Sequence, residues 1–325
     1  MSFRWLAMGR MRFPFICYGG GNSMKSRNSL VTDLKRQWPY YAMVIPVMIL
    51  VFIFSYIPLY GLVIAFQKYN PALGFNSKWV GMENFQFLFK QPNFVRTIWN
   101  TLYIAVLKII GGIVVPVTVS LMLNELRSTK AKRMFQTAVY MPHFLSWVIL
   151  AGVFIDILGS DGIVNQALTA MGLNAVNFLG DPQIFPWTMI ITDIWKGFGF
   201  GTVIYLAALT GIDPGLYEAA IVDGAGRWKQ TIYITLPMLA PTVVLMSILA
   251  LGGVLNAGFD QIYNLYSPIV YTTGDVIDTY VYRLGINQAQ YSIGTAVGLF
   301  KSVISAILIC SSYYIADRFV GYRVF

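Results

Sequence analysis

Apolar positions in this chain gather into long blocks. They follow neither the alternation of a half-buried strand nor the one-sided stripe of a surface helix. Six blocks reach the roughly 20 residues a helix needs to cross a hydrocarbon core. They cover residues 41–66, 98–123, 135–158, 186–209, 238–261 and 293–317. The pattern predicts an all-α polytopic membrane protein with six transmembrane helices. The first block is the least ambiguous; the others contain Gly, Pro or single charges, which membrane helices tolerate when neighbouring groups re-satisfy the backbone. The expected organisation is an N-terminal cytoplasmic segment, 1–40, followed by one transmembrane domain, 41–325.

Composition agrees. Of 325 residues, 57% are hydrophobic and 11% charged, against about 25% charged in soluble domains. This excludes a water-soluble enzyme, a disordered chain, a collagen repeat and a coiled coil. The two cysteines, Cys17 and Cys310, stand far apart and form no disulfide framework. In a membrane chain the net charge of +9 reads as topology, because basic residues collect on the cytoplasmic side. Fifteen fall on the first side: Arg4, Arg10, Arg12, Lys25, Arg27, Lys35 and Arg36 before the first helix; Arg127, Lys130, Lys132 and Arg133 after the second; Arg227 and Lys229 after the fourth; Arg318 and Arg323 at the end. Five (Lys68, Lys78, Lys90, Arg96 and Arg283) fall on the other. Both termini are expected in the cytoplasm.

Residues 1–24 read either as an interfacial basic segment or as a tail ahead of a start at Met24, and no signal-peptide pattern follows them. Residues 30–40 look like an amphipathic lead-in, with Trp38, Tyr40 and Tyr41 at the interface. The external loops 67–97, 159–185 and 262–292 are long, and the first and last are rich in aromatics. They suit either carbohydrate or partner docking, or aromatic belts at the membrane surface.

The loop 211–237 has clear local grammar. Asp213 can cap a helix, Pro214 suits its first position, and Gly224 stands where it should stop. A helix of about ten residues is marginal in water and needs outside support. Glu218, Ala219 and Ala220 give it a face of small residues that a partner can approach closely. Glu-Ala-Ala, three residues, Gly, nine residues, Ile, one residue, Leu-Pro is satisfied at every position by Glu218, Ala219, Ala220, Gly224, Ile234, Leu236 and Pro237. On this pattern the chain resembles the permease subunits of ATP-binding-cassette importers. The first block and the segments MPHFLSWVILAG and GIDPGLYEAAIVDGAGRWKQ are similar to the oligosaccharide branch of the maltose-type carbohydrate permeases. Members of that branch carry polysaccharide fragments, acidic alginate or pectin oligomers among them.

The resemblance implies a type I importer fold. The loop would form a coupling helix that docks in a cleft on an ATPase, with Glu218 and Gly224 anchoring and shaping the contact. It also implies a second, related permease subunit, two ATPase subunits carrying ATP and Mg, an extracytoplasmic solute-binding protein, and residence in a bacterial inner membrane amid lipid. No nucleic-acid partner is expected. The chain has no G-x-x-x-x-G-K-[ST] cradle, so the ATPase must be a separate polypeptide. His143, the only histidine, lies beside Pro142 without a metal or catalytic cluster around it, so a packing role is expected. No catalytic, metal or cofactor residues are assigned. Gly111, Gly112, Gly197, Gly199 and Gly201 are expected to permit close helix packing.

Mid-membrane charges cost at least ~2.5–3.5 kcal/mol each and invite a functional reading. Asp193 and Lys196 are three apart on one helix face, close enough to pair, with Trp195 and Phe198 flanking them. Asn256 and Asp260 share a face of the fifth helix, and Lys301 lies about two turns inside the sixth. Asp156 lies near the outer end of the third. They line a polar path for sugar hydroxyls, in which Lys196 and Lys301 favour an anionic sugar. Otherwise they are structural ion pairs, with Lys108 snorkelling to the surface. An ion-gradient carrier is the alternative. It would show internal repeats and helices broken at mid-membrane, but no repeat is evident and such a carrier would not need the loop pattern. A membrane-embedded enzyme lacks a catalytic cluster.

Overall fold

The computed structural model describes residues 27–126 and 128–320, with side chains over 37–126 and 128–314. Residues 1–24, Arg127, Cys17 and Arg323, and the readings placed on them, lie outside the described residues. The chain divides into two compact units, one ending at Tyr60 and one beginning at Gly61. That division falls twenty residues later than the boundary expected at residue 40.

Among the described residues, the first unit holds helix α1, Arg27–Val51, a π-turn over Phe52–Tyr56 and the start of a 3-10 stretch, Ile57–Phe66, which continues into the second unit from Gly61. Pro39 and Pro46 lie inside α1, and Pro58 follows the π-turn. Each proline removes a backbone donor, which loosens the i→i−4 ladder. Every described side chain from 37 to 60 is exposed. From Tyr41 on this stretch is apolar on every side and no described residue of its unit covers it, so it belongs in lipid or against another protein.

After the end of the 3-10 stretch, the second unit forms a hairpin, β1 (Gln67–Asn70) and β2 (Gly74–Trp79). Its turn closes by Asn70 Oδ1 accepting the Ala72 N–H (3.0 Å). Helices α2 (Glu83–Lys90), α3 (Pro92–Asn124), α4 (Thr129–Tyr140), α5 (Trp147–Leu158), α6 (Ile163–Ala170) and α7 (Phe185–Thr210) follow. Then come α8 (Pro214–Val222), α9 (Arg227–Gln230), α10 (Leu236–Gly252), α11 (Phe259–Leu265), α12 (Tyr271–Gly274), α13 (Ile277–Val281) and α14 (Tyr291–Val320). Among the described residues, five helical segments are long and apolar enough to span a membrane: Gln37–Phe66, Pro92–Asn124, Trp147–Ala170, Arg227–Gly252 and Tyr291–Tyr314. Helix α7, bent by 68° from α8, makes a sixth.

Two of the expected spans are not continuous. The third, expected over 135–158, breaks after α4 into a 3-10 turn, Met141–Phe144, and an extended Leu145. Pro142 denies the ladder a donor there, and Ser146 restarts the helix by accepting the Ile149 N–H (3.3 Å). The fifth, expected over 238–261, stops at Gly252 and restarts at Phe259, with Gly258 at φ +95°.

The larger core joins Phe94 and Ile104 of α3, Phe185 and Met189 of α7, Ile262, Ile277 and Val297. A second cluster (Leu123, Leu206, Leu209, Ile212 and Leu239) fastens the far ends of α3 and α7 to α10. Helix α7 lies along α3 because Gly111 makes room for Ile194 and Gly201 for Pro116. Gly199 admits the end of α4, and a Cβ there would overlap the Val139 carbonyl. Among the described residues nothing lies close to Gly112 or Gly197, so their expected packing role is not made by them.

Gly199→Ala must push the Val139 backbone away and is expected to cost about 1–3 kcal/mol. That would appear as a lower midpoint of thermal unfolding in detergent. Gly112→Ala, which meets nothing among the described residues, is expected to be neutral or slightly stabilising.

Candidate functional site

The break between α10 and α11 leaves backbone groups that a helix would have paired, inside the depth spanned by α3 and α7. A side chain from another helix covers them. Lys108, at the midpoint of α3 and only 8% exposed, donates from Nζ to the Ala257 carbonyl (2.8 Å) and to Gln261 Oε1. Gln261, fully buried, donates onward to the Met189 carbonyl (2.8 Å) and Thr192 Oγ1 (2.7 Å) of α7. Gly258 belongs to the same construction, since its left-handed backbone suits glycine and a Cβ there would stand 3.0 Å from Lys108 Nζ. Asp193 supplies the counter-charge at 3.6 Å and is one-third exposed. A cavity of about 310 Å³ opens beside this node, walled by Lys108, Asp193, Asn256 and Gly253.

The side-chain pairings therefore differ from those expected. Asp193 pairs with Lys108 rather than Lys196, because a lysine buried on the adjacent helix needs the charge more than a half-exposed neighbour on its own helix. Lys108 does not snorkel: it stands too far from either end of α3. Lys196 instead donates to the His143 carbonyl (2.9 Å) and lies 5.6 Å from the Trp147 ring. It thereby covers the backbone freed where the third span breaks, much as Lys108 does for the fifth. The His143 ring stacks on Phe200 at 4.2 Å. Asn256 and Asp260 do not share a helix face, because the break separates them. Asn256 reaches the polar cavity, whereas Asp260 is exposed at the start of α11. Trp195 packs edge-on to Phe154 and borders a different, apolar cavity of about 390 Å³ between α5 and α7. Lys301 pairs with Asp278, tying α14 to α13.

Toward the α3 N-terminus, the buried Asp275 pairs with Arg283, whose guanidinium lies 4.2 Å from the Tyr271 ring. Burial pushes the Tyr266 phenol up, and Tyr271 adds to the shift. Burial also raises Tyr280, against the pull of Arg283. Both therefore stay neutral hydrogen-bond donors at physiological pH.

At the opposite end of α7 the loop 211–237 folds as its grammar predicts. Asp213 accepts the Gly215 N–H (2.9 Å) and starts α8. At its end the Ala225 N–H bonds the Ala220 carbonyl (2.8 Å) and the Gly224 N–H the Ile221 carbonyl (3.0 Å), with Gly224 at φ +74°. Tyr217 Oη and Thr235 Oγ1 meet at 3.0 Å, joining α8 to the π-turn that leads into α10. Glu218, Ala219 and Gly224 are exposed, Ala220 and Ile234 are half-buried, and Leu236 and Pro237 are exposed. Ile221 and Val222 stand 63% and 87% exposed, with Trp228 beside them in sequence at 80%. These are large apolar side chains that no described residue covers.

Residues 108–321 match the family described as binding-protein-dependent transport system inner membrane component. Protein LplB of Bacillus subtilis is 41% identical over 90% of this chain and 92% of its own. The polygalacturonan/rhamnogalacturonan transport system permease protein YteP, from the same organism, is 39% identical over 91% and 92%. Among solved structures, a bacterial ABC transporter involved in the import of the acidic polysaccharide alginate superposes with a TM-score of 0.83. It is 41% identical and covers 90% of this chain and 99% of the matched one. A bacterial alginate ABC transporter in complex with an alginate pentasaccharide-bound periplasmic protein gives 0.84 at 40% identity, over 91% and 99%.

Lys108→Met leaves the Ala257 carbonyl and Gln261 Oε1 without their donor. It is expected to destabilise the detergent-purified protein by about 1–3 kcal/mol. Asp193→Asn, whose carboxylate already meets the cavity, is expected to cost less. Equal losses in thermal unfolding would contradict the assignment of Lys108 to the helix break.

Proposed function

The chain belongs to the family of binding-protein-dependent transport system inner membrane components, and we propose that it forms half of the membrane path of an ATP-driven importer for acidic oligosaccharides. It is a sugar permease of the ABC-importer type, not an ion-gradient carrier. The observation that carries the reading is α8: a short rod capped at both ends, braced on α7 and α10, with its apolar side uncovered. Such a rod suits docking on a separate motor. The acidic class draws support from the relatives' polygalacturonan and alginate cargoes.

The remaining partners are a related second permease, two ATPase subunits holding ATP and Mg, and an external binding protein that hands over the sugar. The membrane is the bacterial inner membrane, with both termini on the ATPase side. ATP binding closes the ATPases, α8 moves with them, and α7 and α10 carry the displacement to the node around Lys108. The path switches only if the two nucleotide states bind the two conformations with different affinity. The polar cavity at Asp193 and Asn256 offers donors and acceptors for sugar hydroxyls along that path.

The test is uptake of trigalacturonate by the four-component complex in liposomes, with ATP hydrolysis followed in parallel. Gly224→Val places a branched side chain at a positive φ, a local cost of about 1–2 kcal/mol. It and Glu218→Ala are expected to leave the ATPase present but no longer stimulated by loaded binding protein, with uptake falling at least about tenfold. Uptake driven by an ion gradient in vesicles holding the permease alone would contradict the reading.

A further inference from the structure

A second cavity, of about 230 Å³, lies at the N-terminal end of α3, far from the Lys108 node and on the side that the charge count places outside the cell. Its walls come from Asn93 and Arg96 of α3, from Tyr271 and Thr272 of α12, and from the Asp275–Arg283 pair. The floor is fixed. Asn100 donates to the Thr272 and Asp275 carbonyls (3.2 Å each), and Thr101 Oγ1 accepts the Ile277 N–H (2.9 Å). Arg283 is committed to the buried Asp275 and to the face of Tyr271, so those two charges cancel. Arg96 has no such commitment: among the described residues no carboxylate lies within ion-pair distance of it, and it is exposed. The cavity thus carries one net positive charge, an aromatic wall and short polar side chains at its mouth. This combination suits a single sugar ring bearing a carboxylate.

We propose that this cavity is an extracytoplasmic subsite for a uronate residue, in which Arg96 binds the carboxylate while Asn93 and Thr272 bind ring hydroxyls. The inference rests on the reading of the chain as a permease for acidic oligosaccharides, and it names the part of that reading that selects acid over neutral sugar before the membrane is entered. Arg96 is a specificity-determining residue in this view. The subsite holds one end of the chain as the binding protein releases it, and the Lys108 node lies further along.

The experiment is calorimetric titration of the assembled permease–ATPase complex in nanodiscs of uncharged lipid, without binding protein. The titrants are trigalacturonate and its carboxyl-reduced, neutral counterpart. The wild type is expected to prefer the acid. Arg96→Gln is expected to weaken trigalacturonate binding about tenfold or more and to leave the neutral sugar unchanged, while Arg96→Lys keeps part of the preference. Unchanged trigalacturonate binding by Arg96→Gln would overturn the subsite, as would equal weakening of both sugars or a wild type without preference. Uptake by the complete system separates this from the broader reading. If the wild type imports trigalacturonate but Arg96→Gln binds it normally, only the subsite fails. If the wild type imports the neutral sugar alone, the substrate class fails and the subsite with it.

Discussion

Inside a bilayer no backbone group can turn to water, so a helix interrupted at membrane depth must find its hydrogen-bond partners within the protein. This chain interrupts its fifth span at Gly253–Gly258 and supplies the missing donor from α3, through Lys108. A buried ammonium is itself costly. It is tolerated here because two acceptors and the Asp193 carboxylate meet it at once. The polar cavity exists beside the node because the break, rather than a continuous helix, lies there.

The same node gives α7 its place in the machine. Met189, Thr192 and Asp193 sit at the node, and Leu206, Leu209 and Ile212 lock the other end to α3 and α10. From Thr192 to Thr210 is about 27 Å of helix. In the proposed coupling, a displacement of α8 would reach the helix break along α7, with the Tyr217–Thr235 contact leading into α10. The proposed mechanism needs two discrete arrangements of α7 against α3, and close contacts such as Gly111–Ile194 and Gly201–Pro116 would resist intermediate ones.

What was legible in the sequence was whatever is local. Block length gave the helices, and the caps at Asp213 and Gly224 gave α8 to within a residue, since capping depends on neighbours in the chain. Tertiary choices were not legible. Asp193 and Lys196 look paired at a spacing of three, yet partners distant in sequence, Lys108 and the His143 carbonyl, hold them instead. Proline in an apolar block is compatible with a kink or a break, and only packing against α7 decides that Pro142 marks a break. Gly252, Gly253 and Gly258 were the available sign that Asn256 and Asp260 would not share a face. A break at membrane depth, expected of carriers, occurs here in a permease family, so that criterion does not separate the two. Lys108 had a signal too: the middle of a long span is too deep to snorkel from.

The central claim is that α8 is gripped by a separate motor. Ala219, exposed on that helix, offers the most direct measurement. With Cys17 and Cys310 replaced by alanine, Ala219→Cys carrying a maleimide-linked photoreactive group should form a cross-link to the ATPase subunit in the assembled complex on illumination. The yield should change when ATP is bound. An Ala219→Cys thiol that reacts freely with a water-soluble maleimide in the full complex, and yields no cross-linked ATPase in either nucleotide state, would contradict the account.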